Sequence, residues 1–373
     1  MARSARIALV TSFSGEGGVE RMLVNLMRAF VQLEYQVDLL RVRADGPFAR
    51  QTLSGVNIID LPVRHSLAGV FFLSHYLRHS PVQAVLAAKD RPGRALVLAR
   101  SLSGSKTRVI IRLGTNLSQS LQGRSAITKW LRYLPARLLY PGADHIVAVS
   151  EGVGRDISKI SRVSASQIDV VPNPVITNEL FELAKTPLHH PWFKPKESPV
   201  ILAAGRLTRQ KDFPTLIQAF ALVRPNFAAR LIILGEGRDR TILQDLIVRL
   251  SLQDWIDLPG FVTNPYAYMK QADLFVLSSR WEGSPNVLTE AMALGLPVVA
   301  TDCQSGPREI LQEGRLGPLV PVGDSKALSQ AMLRVLQDPL PAHQLEEGVK
   351  KYRDVISAQR YLDIMLGKSR MTP

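Results

Sequence analysis

The feature that most constrains this chain is an alternation that runs twice along it. Short apolar runs rich in Val, Ile and Leu are separated by longer stretches with helical spacing. Arg6–Thr11 (RIALVT) reads as a buried strand, followed by a Gly-rich turn and a helix from about Gly18 to Leu33. Further strands are expected at Gln36–Arg41, Val56–Leu61, Ala84–Ala87, Val109–Arg112 and His145–Ser150. A second series has strands at Val200–Ala204, Arg230–Leu234, Ile256–Leu258, Leu274–Ser278, Val298–Thr301 and Pro318–Pro321. Helical patterns fall between them at Phe213–Val223, Arg238–Ser251, Asn264–Gln271, Val287–Leu294 and Lys326–Gln337. Strands separated by crossover helices make a parallel sheet, which is buried on both faces. Pro187, Pro191, Pro195 and Pro199 interrupt the stretch between the two series, which therefore reads as a linker. The expected organisation is an N-terminal domain over 1–184, a linker over 185–199, a C-terminal domain over 200–340 and a helical tail over 341–373. Both domains read as doubly wound α/β folds.

Composition narrows the function classes. With 373 residues and one cysteine, Cys303, the chain has room for two cores but no disulfide framework and no Cys-clustered zinc site. No apolar run reaches the roughly 18 residues of a membrane span, and the opening MARSARIALV is too short for a signal peptide. A cytoplasmic location is therefore expected. Of the net charge of +14, +11 sits in residues 1–190, and twelve Lys and Arg lie between Arg41 and Arg112 against three acids. Such asymmetry suits nucleic acid, an anionic bilayer or a phosphorylated substrate, and equally a solvated Arg-rich surface.

In open α/β sheets, ligands sit beyond the carboxyl ends of the strands, so the turns there carry the chemistry. The first turn contains Gly15, Gly17 and Gly18 before a helix N-terminus, an anion-binding arrangement that a plain tight turn matches equally well. The second runs from Gly205 to Asp212 and carries Arg206 and Lys211, a planar fork and a compact charge suited to a diphosphate. Taken alone, it also fits a solvated loop. The third, WEGSPNVLTEAM, places Glu282 in the loop and Glu290 about one turn into the next helix, where a carboxylate beside Ala and Met needs a partner. The fourth holds Cys303, Gly306 and Pro307; nothing around Cys303 forms a nucleophile's constellation, and it reads as packing.

Together these segments resemble a known family. GRLTRQKDFPTLIQAF, EGSPNVLTEAMALGLPVVATDCQSGPREI and LVPVGD, with GGVERMLVNL, AVSEGV and VPNPV in the first half, are similar to the retaining nucleotide-sugar glycosyltransferases of family 4. The resemblance implies the GT-B fold, two Rossmann-like domains facing a central cleft. It implies transfer from a nucleoside-diphosphate sugar, usually UDP-linked, to a glycan or lipid-linked acceptor, with retention and without a metal or other cofactor. Arg206 and Lys211 match the pair that binds the departing diphosphate, on the loop opened by Gly205. Glu290 matches the carboxylate on the ribose hydroxyls, and Glu282 the one beside the donor sugar, where no nucleophilic role is assigned. Asn286 and Val287 match backbone amides around the donor, Phe261 and Val262 the segment that reads the base, and Gly17 and Gly18 the turn facing the diphosphate.

One departure concerns the strand expected at Val109–Arg112. Many relatives follow it with a histidine that touches the donor sugar; here Arg112 and Asn116 are the candidates for that side. On the acceptor side, LAGVFFLSHYL and ITKWLRYLPARLLY combine interfacial aromatics with basic residues, which suits peripheral contact with an anionic leaflet. Packing of both segments on the sheet is the plainer alternative. Two rival functions are an epimerase using the same fold and, from basicity alone, a nucleic-acid binder. The scattered basic residues and the absence of a binding motif argue against the second.

Overall fold

The computed structural model describes residues 5–14, 18–45, 53–63 and 65–368. The chain divides into two compact units, Met1–Pro174 with Arg353–Pro373, and Val175–Tyr352. The first contains strands β1 (Arg6–Ser14), β2 (Gln36–Asp45), β3 (Val56–Asp60), β4 (Ala84–Ala87), β5 (Arg108–Leu113), β6 (His145–Ala148) and β7 (Ile168–Val170). They form one sheet in the order β3-β2-β1-β4-β5-β6-β7, with every pairing parallel. Its helices are α1 (Gly18–Gln32), α2 (Val70–His79), α3 (Asp90–Ser103), α4 (Leu117–Ser120), α5 (Ala126–Leu139) and α6 (Glu151–Ile160).

The second unit repeats the plan with β8 (Val200–Ala204), β9 (Arg230–Leu234), β10 (Ile256–Gly260), β11 (Leu274–Leu277), β12 (Val298–Thr301) and β13 (Leu319–Val320). Their order is β10-β9-β8-β11-β12-β13, again all parallel. Its helices are α7 (Asn178–Ala184), α8 (Phe213–Val223), α9 (Arg240–Arg249), α10 (Pro265–Gln271), α11 (Asn286–Ala293), α12 (Pro307–Ile310), α13 (Ser325–Gln337) and α14 (Ala342–Gly348). The last helix, α15 (Asp354–Leu366), belongs to the first unit, where Tyr361, Leu362 and Met365 join the core formed by Met22, Leu26 and Phe30 of α1.

Each sheet is covered on both faces. In the first unit, α1 and α15 lie on one side and α2, α3, α5 and α6 on the other. This is why the strands read as continuous apolar runs; β4 is buried at all four positions. Two features escape the sequence pattern. β7 is three residues long and carries Asp169, whose carboxylate meets His145 Nδ1 at 2.8 Å, so it has no apolar run to announce it. The proline-rich stretch is not a loose connection. Leu188 and Phe193 are buried in the core of the second unit, and His190 Nε2 lies 2.9 Å from Asp257 Oδ2 among the rings of Trp192, Phe193 and Tyr268. Proline prevents regular hydrogen bonding but not packing, and apolar residues interleaved with prolines dock as extended chain. The division between units falls earlier, at Pro174/Val175, and again at Tyr352/Arg353.

In both sheets the winding reverses, between β1 and β4 and between β8 and β11. Loops that follow strands at such a reversal diverge and leave space beyond the carboxyl ends.

One buried polar cluster ties β1, β2, β3 and α2 together. The carboxylate of Asp38, 1 % exposed, accepts from Arg6 Nε and Nη2 at 2.9 Å each, from Asn57 Nδ2 at 2.9 Å, and from the Tyr76 hydroxyl. Burial pushes this carboxyl up, but the bonds from Arg6, Tyr76 and Asn57 outweigh it and hold the group below its ordinary value. A depressed folded pKa contributes stability above the unfolded value, and that stability is lost as pH falls through the folded one. Asp38→Asn should therefore lower unfolding free energy by about 1–3 kcal/mol at neutral pH. In urea titrations from pH 6 to pH 3, the variant should lose less stability on acidification than the parent; parallel loss would contradict the assignment.

Candidate active site

Because β8 and β11 are neighbours, the loops that leave them stand side by side. The first loop holds Gly205, Arg206, Lys211 and Asp212; the second holds Ser278, Ser279, Arg280, Trp281 and Glu282. Lys211 Nζ meets Glu282 Oε1 at 2.6 Å, with side chains 16 % and 8 % exposed. At that burial, neither charge can be left unpaired without a large penalty, so the pair fixes both loops. The Ser279 hydroxyl, fully buried, donates to the same Glu282 oxygen at 2.8 Å.

Around the pair, each loop holds the other's backbone. Ser278 Oγ donates to the Lys211 carbonyl at 2.8 Å, Gln210 Nε2 to the Trp281 carbonyl at 3.0 Å, and the Arg280 amide to the Gln210 carbonyl at 2.8 Å. Asp212, at φ +50°, is in the left-handed region that costs an L-residue energy. Its buried carboxylate is held by Arg280 Nε at 3.1 Å and by the Thr215 hydroxyl at 2.9 Å. Cys303 lies behind the site, where burial and then the charge of Glu282 push its thiol up to about 12. It is a packing thiol and not a thiolate at neutral pH.

The remaining candidates of this unit are distributed around the same strand ends. Arg206 is exposed. Phe261, 38 % exposed, and half-buried Val262 follow β10. Asn286 and Val287 are the first residues of α11, whose N-cap is Pro285. Glu290, 3 % exposed and one turn further on, accepts from the Tyr266 hydroxyl of α10 at 3.2 Å. This gives the buried carboxylate the partner its position required. Ser278, Ser279, Asp212 and Tyr266 carry no sequence signal of their own; only the pairing of β8 with β11 and of α10 with α11 makes them part of the site.

In the first unit, Arg112 is the last residue but one of β5 and is 2 % exposed, with Nη2 donating to Asn173 Oδ1 at 2.8 Å. Burial pushes its guanidinium down, opposed by Tyr361 from α15. Asn116, 4 % exposed, caps α4 by accepting from the Gln119 amide at 3.1 Å. Both of these side chains are held inside the unit. Gly18 opens α1, and Gly17 lies outside the described residues. At the β1/β4 reversal, Lys89 Nζ donates to the Ser12 carbonyl at 2.8 Å and to Glu20 Oε1 at 2.7 Å. Among the described residues, no group of three or more His, Cys, Asp or Glu could hold a metal ion.

Two glycines hold the second unit's loops in place. A Cβ on Gly235 would lie 2.1 Å from the Gly205 carbonyl oxygen, and one on Gly306 would lie 2.6 Å from Pro285 Cδ and 2.9 Å from the Gly283 carbonyl oxygen. Both residues have positive φ, +131° and +87°. Gly235→Ala and Gly306→Ala should each cost about 2 kcal/mol or more, since overpacking and strain combine. Chemical denaturation measures this; midpoints within error of the parent would contradict the packing.

Residues 16–179 match the model of Glycosyltransferase Family 4, and residues 198–338 that of Glycosyl transferases group 1. An uncharacterised glycosyltransferase of Methanocaldococcus jannaschii is 38 % identical over 180 residues, 48 % of this chain and 44 % of its own length. The N-acetylgalactosamine-N,N'-diacetylbacillosaminyl-diphospho-undecaprenol 4-alpha-N-acetylgalactosaminyltransferase of Campylobacter jejuni is 30 % identical over 335 residues, 87 % of this chain and 88 % of that one. Among solved structures, Anabaena HepE in complex with UDP superposes with a TM-score of 0.78 at 20 % identity, covering 97 % of this chain and all of that one. Two family models matched in order and a similarity sustained along nearly the whole length show that the chain belongs to the family 4 glycosyltransferases, with the two Rossmann-like sheets of the GT-B fold.

Proposed function

We propose that this glycosyltransferase takes its sugar from a nucleoside diphosphate, with uracil as the base, and passes it with retention of configuration to a lipid-linked or glycan acceptor of bacterial polysaccharide or glycolipid assembly. The observation that carries the reading is the Lys211–Glu282 pair at the β8/β11 reversal. A partly buried ammonium held in position by a carboxylate costs little reorganisation when a diphosphate departs, which is how preorganised charge lowers a barrier. The Campylobacter relative is named for a diphospho-undecaprenol-linked acceptor, and HepE was crystallised with UDP and with UDP-glucose; both names support the substrate classes.

In this scheme Lys211 and exposed Arg206 neutralise the diphosphate as the bond from its oxygen to the anomeric carbon breaks. The acceptor hydroxyl bonds to that carbon from the same face, and its proton passes to the departing phosphate oxygen. Glu282 holds Lys211 and borders the donor sugar, without acting as a nucleophile. Glu290, steadied by Tyr266, accepts from the ribose hydroxyls, and the amides of Asn286 and Val287 offer the positive end of α11 to phosphate or sugar oxygens. The backbone at Phe261 and Val262 reads the base. No step requires a metal.

Lys211→Ala and Arg206→Ala should each lower kcat by about 10²-fold or more, as loss of a preorganised charge-stabilising group does. Glu290→Ala should act on KM for the donor more than on kcat. Transfer from a panel of nucleotide sugars, followed by separation of glycoside from epimerised donor, is the measurement. Undiminished transfer by both cation variants, or an epimer as the only product, would overturn the reading. Activity is expected to persist in EDTA.

A further inference from the structure

The second half of α2 carries two histidines one turn apart, His75 and His79, and both are exposed. Positions i and i+4 of a helix are neighbours on its surface. Here the two imidazole rings face each other, with centroids 4.2 Å apart and planes inclined by 35°. Val70, Leu73, Tyr76 and Leu77 take the inward side of α2, which leaves the pair on the solvent side.

One ring of the pair has its tautomer set. His79 Nδ1 lies 2.9 Å from the His75 carbonyl oxygen, which only accepts, so Nδ1 carries the hydrogen and the lone pair of the neutral ring is on Nε2. A backbone carbonyl behind one ring nitrogen is the support that metal-bound imidazoles use to present the other. Among the described residues, no ring nitrogen of His75 is engaged in a hydrogen bond. Two nitrogens bound to one zinc ion at about 2.0–2.1 Å each stand about 3 Å apart. The inclination of the rings brings one pair of edges nearer than their centroids, so a small side-chain rotation reaches that span. The adjacent cation does not oppose it, because the Arg78 guanidinium is drawn to the carbonyls of Leu102 and Ser103 at 3.2 and 3.4 Å.

From this we infer that His75 and His79 together chelate a divalent late transition ion such as zinc or copper on the surface of the first unit. Imidazole suits zinc, nickel and copper, whereas magnesium and calcium take oxygen ligands. Among the described residues, no third His, Cys, Asp or Glu completes a cluster, so water fills the remaining positions and the site is open. A bound ion clasps the last turn of α2 from outside. The two histidines take no part in the proposed transfer, so chelation and glycosyl transfer can fail separately.

The test is isothermal titration of the untagged full chain with zinc chloride, copper chloride and magnesium chloride. Zinc should bind and magnesium should not, and copper should bind more tightly than zinc. His75→Gln and His79→Gln should each weaken zinc binding roughly tenfold or more, and the double variant should lose little beyond either one, since a chelate needs both rings. Both side chains lie outside the cores, and melting temperatures equal to the parent's without metal confirm that the variants fold. His189→Gln, at an exposed imidazole of the second unit, should bind zinc as the parent does. The inference is overturned if zinc does not bind, if magnesium binds as well as zinc, or if His189→Gln weakens binding as much as the α2 variants do. It is also overturned if each single variant loses only a share and the double variant loses the sum, the mark of separate imidazoles taking up an adventitious ion only.

Discussion

The second unit's site depends on one constraint, a lysine and a glutamate from different loops sharing a place too buried for either alone. Lys211 and Glu282 stand 71 residues apart in sequence and 2.6 Å apart in space. Removing either charge would strand the other away from water, so the pair dictates where both loops run. The hydrogen bonds of Ser278, Ser279, Gln210 and Arg280 follow from that closure, and Asp212 adopts its unfavourable backbone conformation where Arg280 and Thr215 hold it. A site built this way is organised before any ligand arrives, and preorganisation is the source of electrostatic catalysis.

Sheet order makes the pair possible. β8 and β11 are adjacent only because the winding reverses after β10 and the chain returns to the other side of β8. The first unit reverses in the same way between β1 and β4, where Lys89 draws the start of α1 and the end of β1 together through Glu20 and Ser12. The two units thus use one architectural device, and in each a lysine bridges the loops on either side of the reversal. Glycine supports it where backbones crowd: Gly235 and Gly306 allow neighbouring loops to approach within distances that any side chain would forbid.

The helices around the first sheet divide by what their outer faces carry. α1 and α15 pack apolar residues against each other and the sheet, and Tyr361 reaches Arg112 near the end of β5. On the opposite side, α2 and α5 expose aromatic and aliphatic residues among basic ones.

Most of the fold was legible in the sequence because a parallel sheet advertises itself through apolar runs, and β4, β8, β9 and β12 begin and end where those runs do. β7 was not, since three residues with a central aspartate have no periodicity. The packing of the proline-rich stretch was not legible either, because proline density reports backbone geometry and says nothing of Leu188 and Phe193 finding a core. Of the site, the sequence by itself determined which residue types were present at the strand ends: Arg206 and Lys211, Glu282 and Glu290, each on a turn that also had an innocuous explanation. Only the tertiary structure decided that Lys211 meets Glu282, that Ser279 and Tyr266 hold the two glutamates, that Arg112 and Asn116 turn inward, and that the apolar stripe of α5 turns outward. The physical reason is that local pattern fixes which face of an element is apolar, whereas strand order and packing fix what that face, or a charge at its end, is placed against.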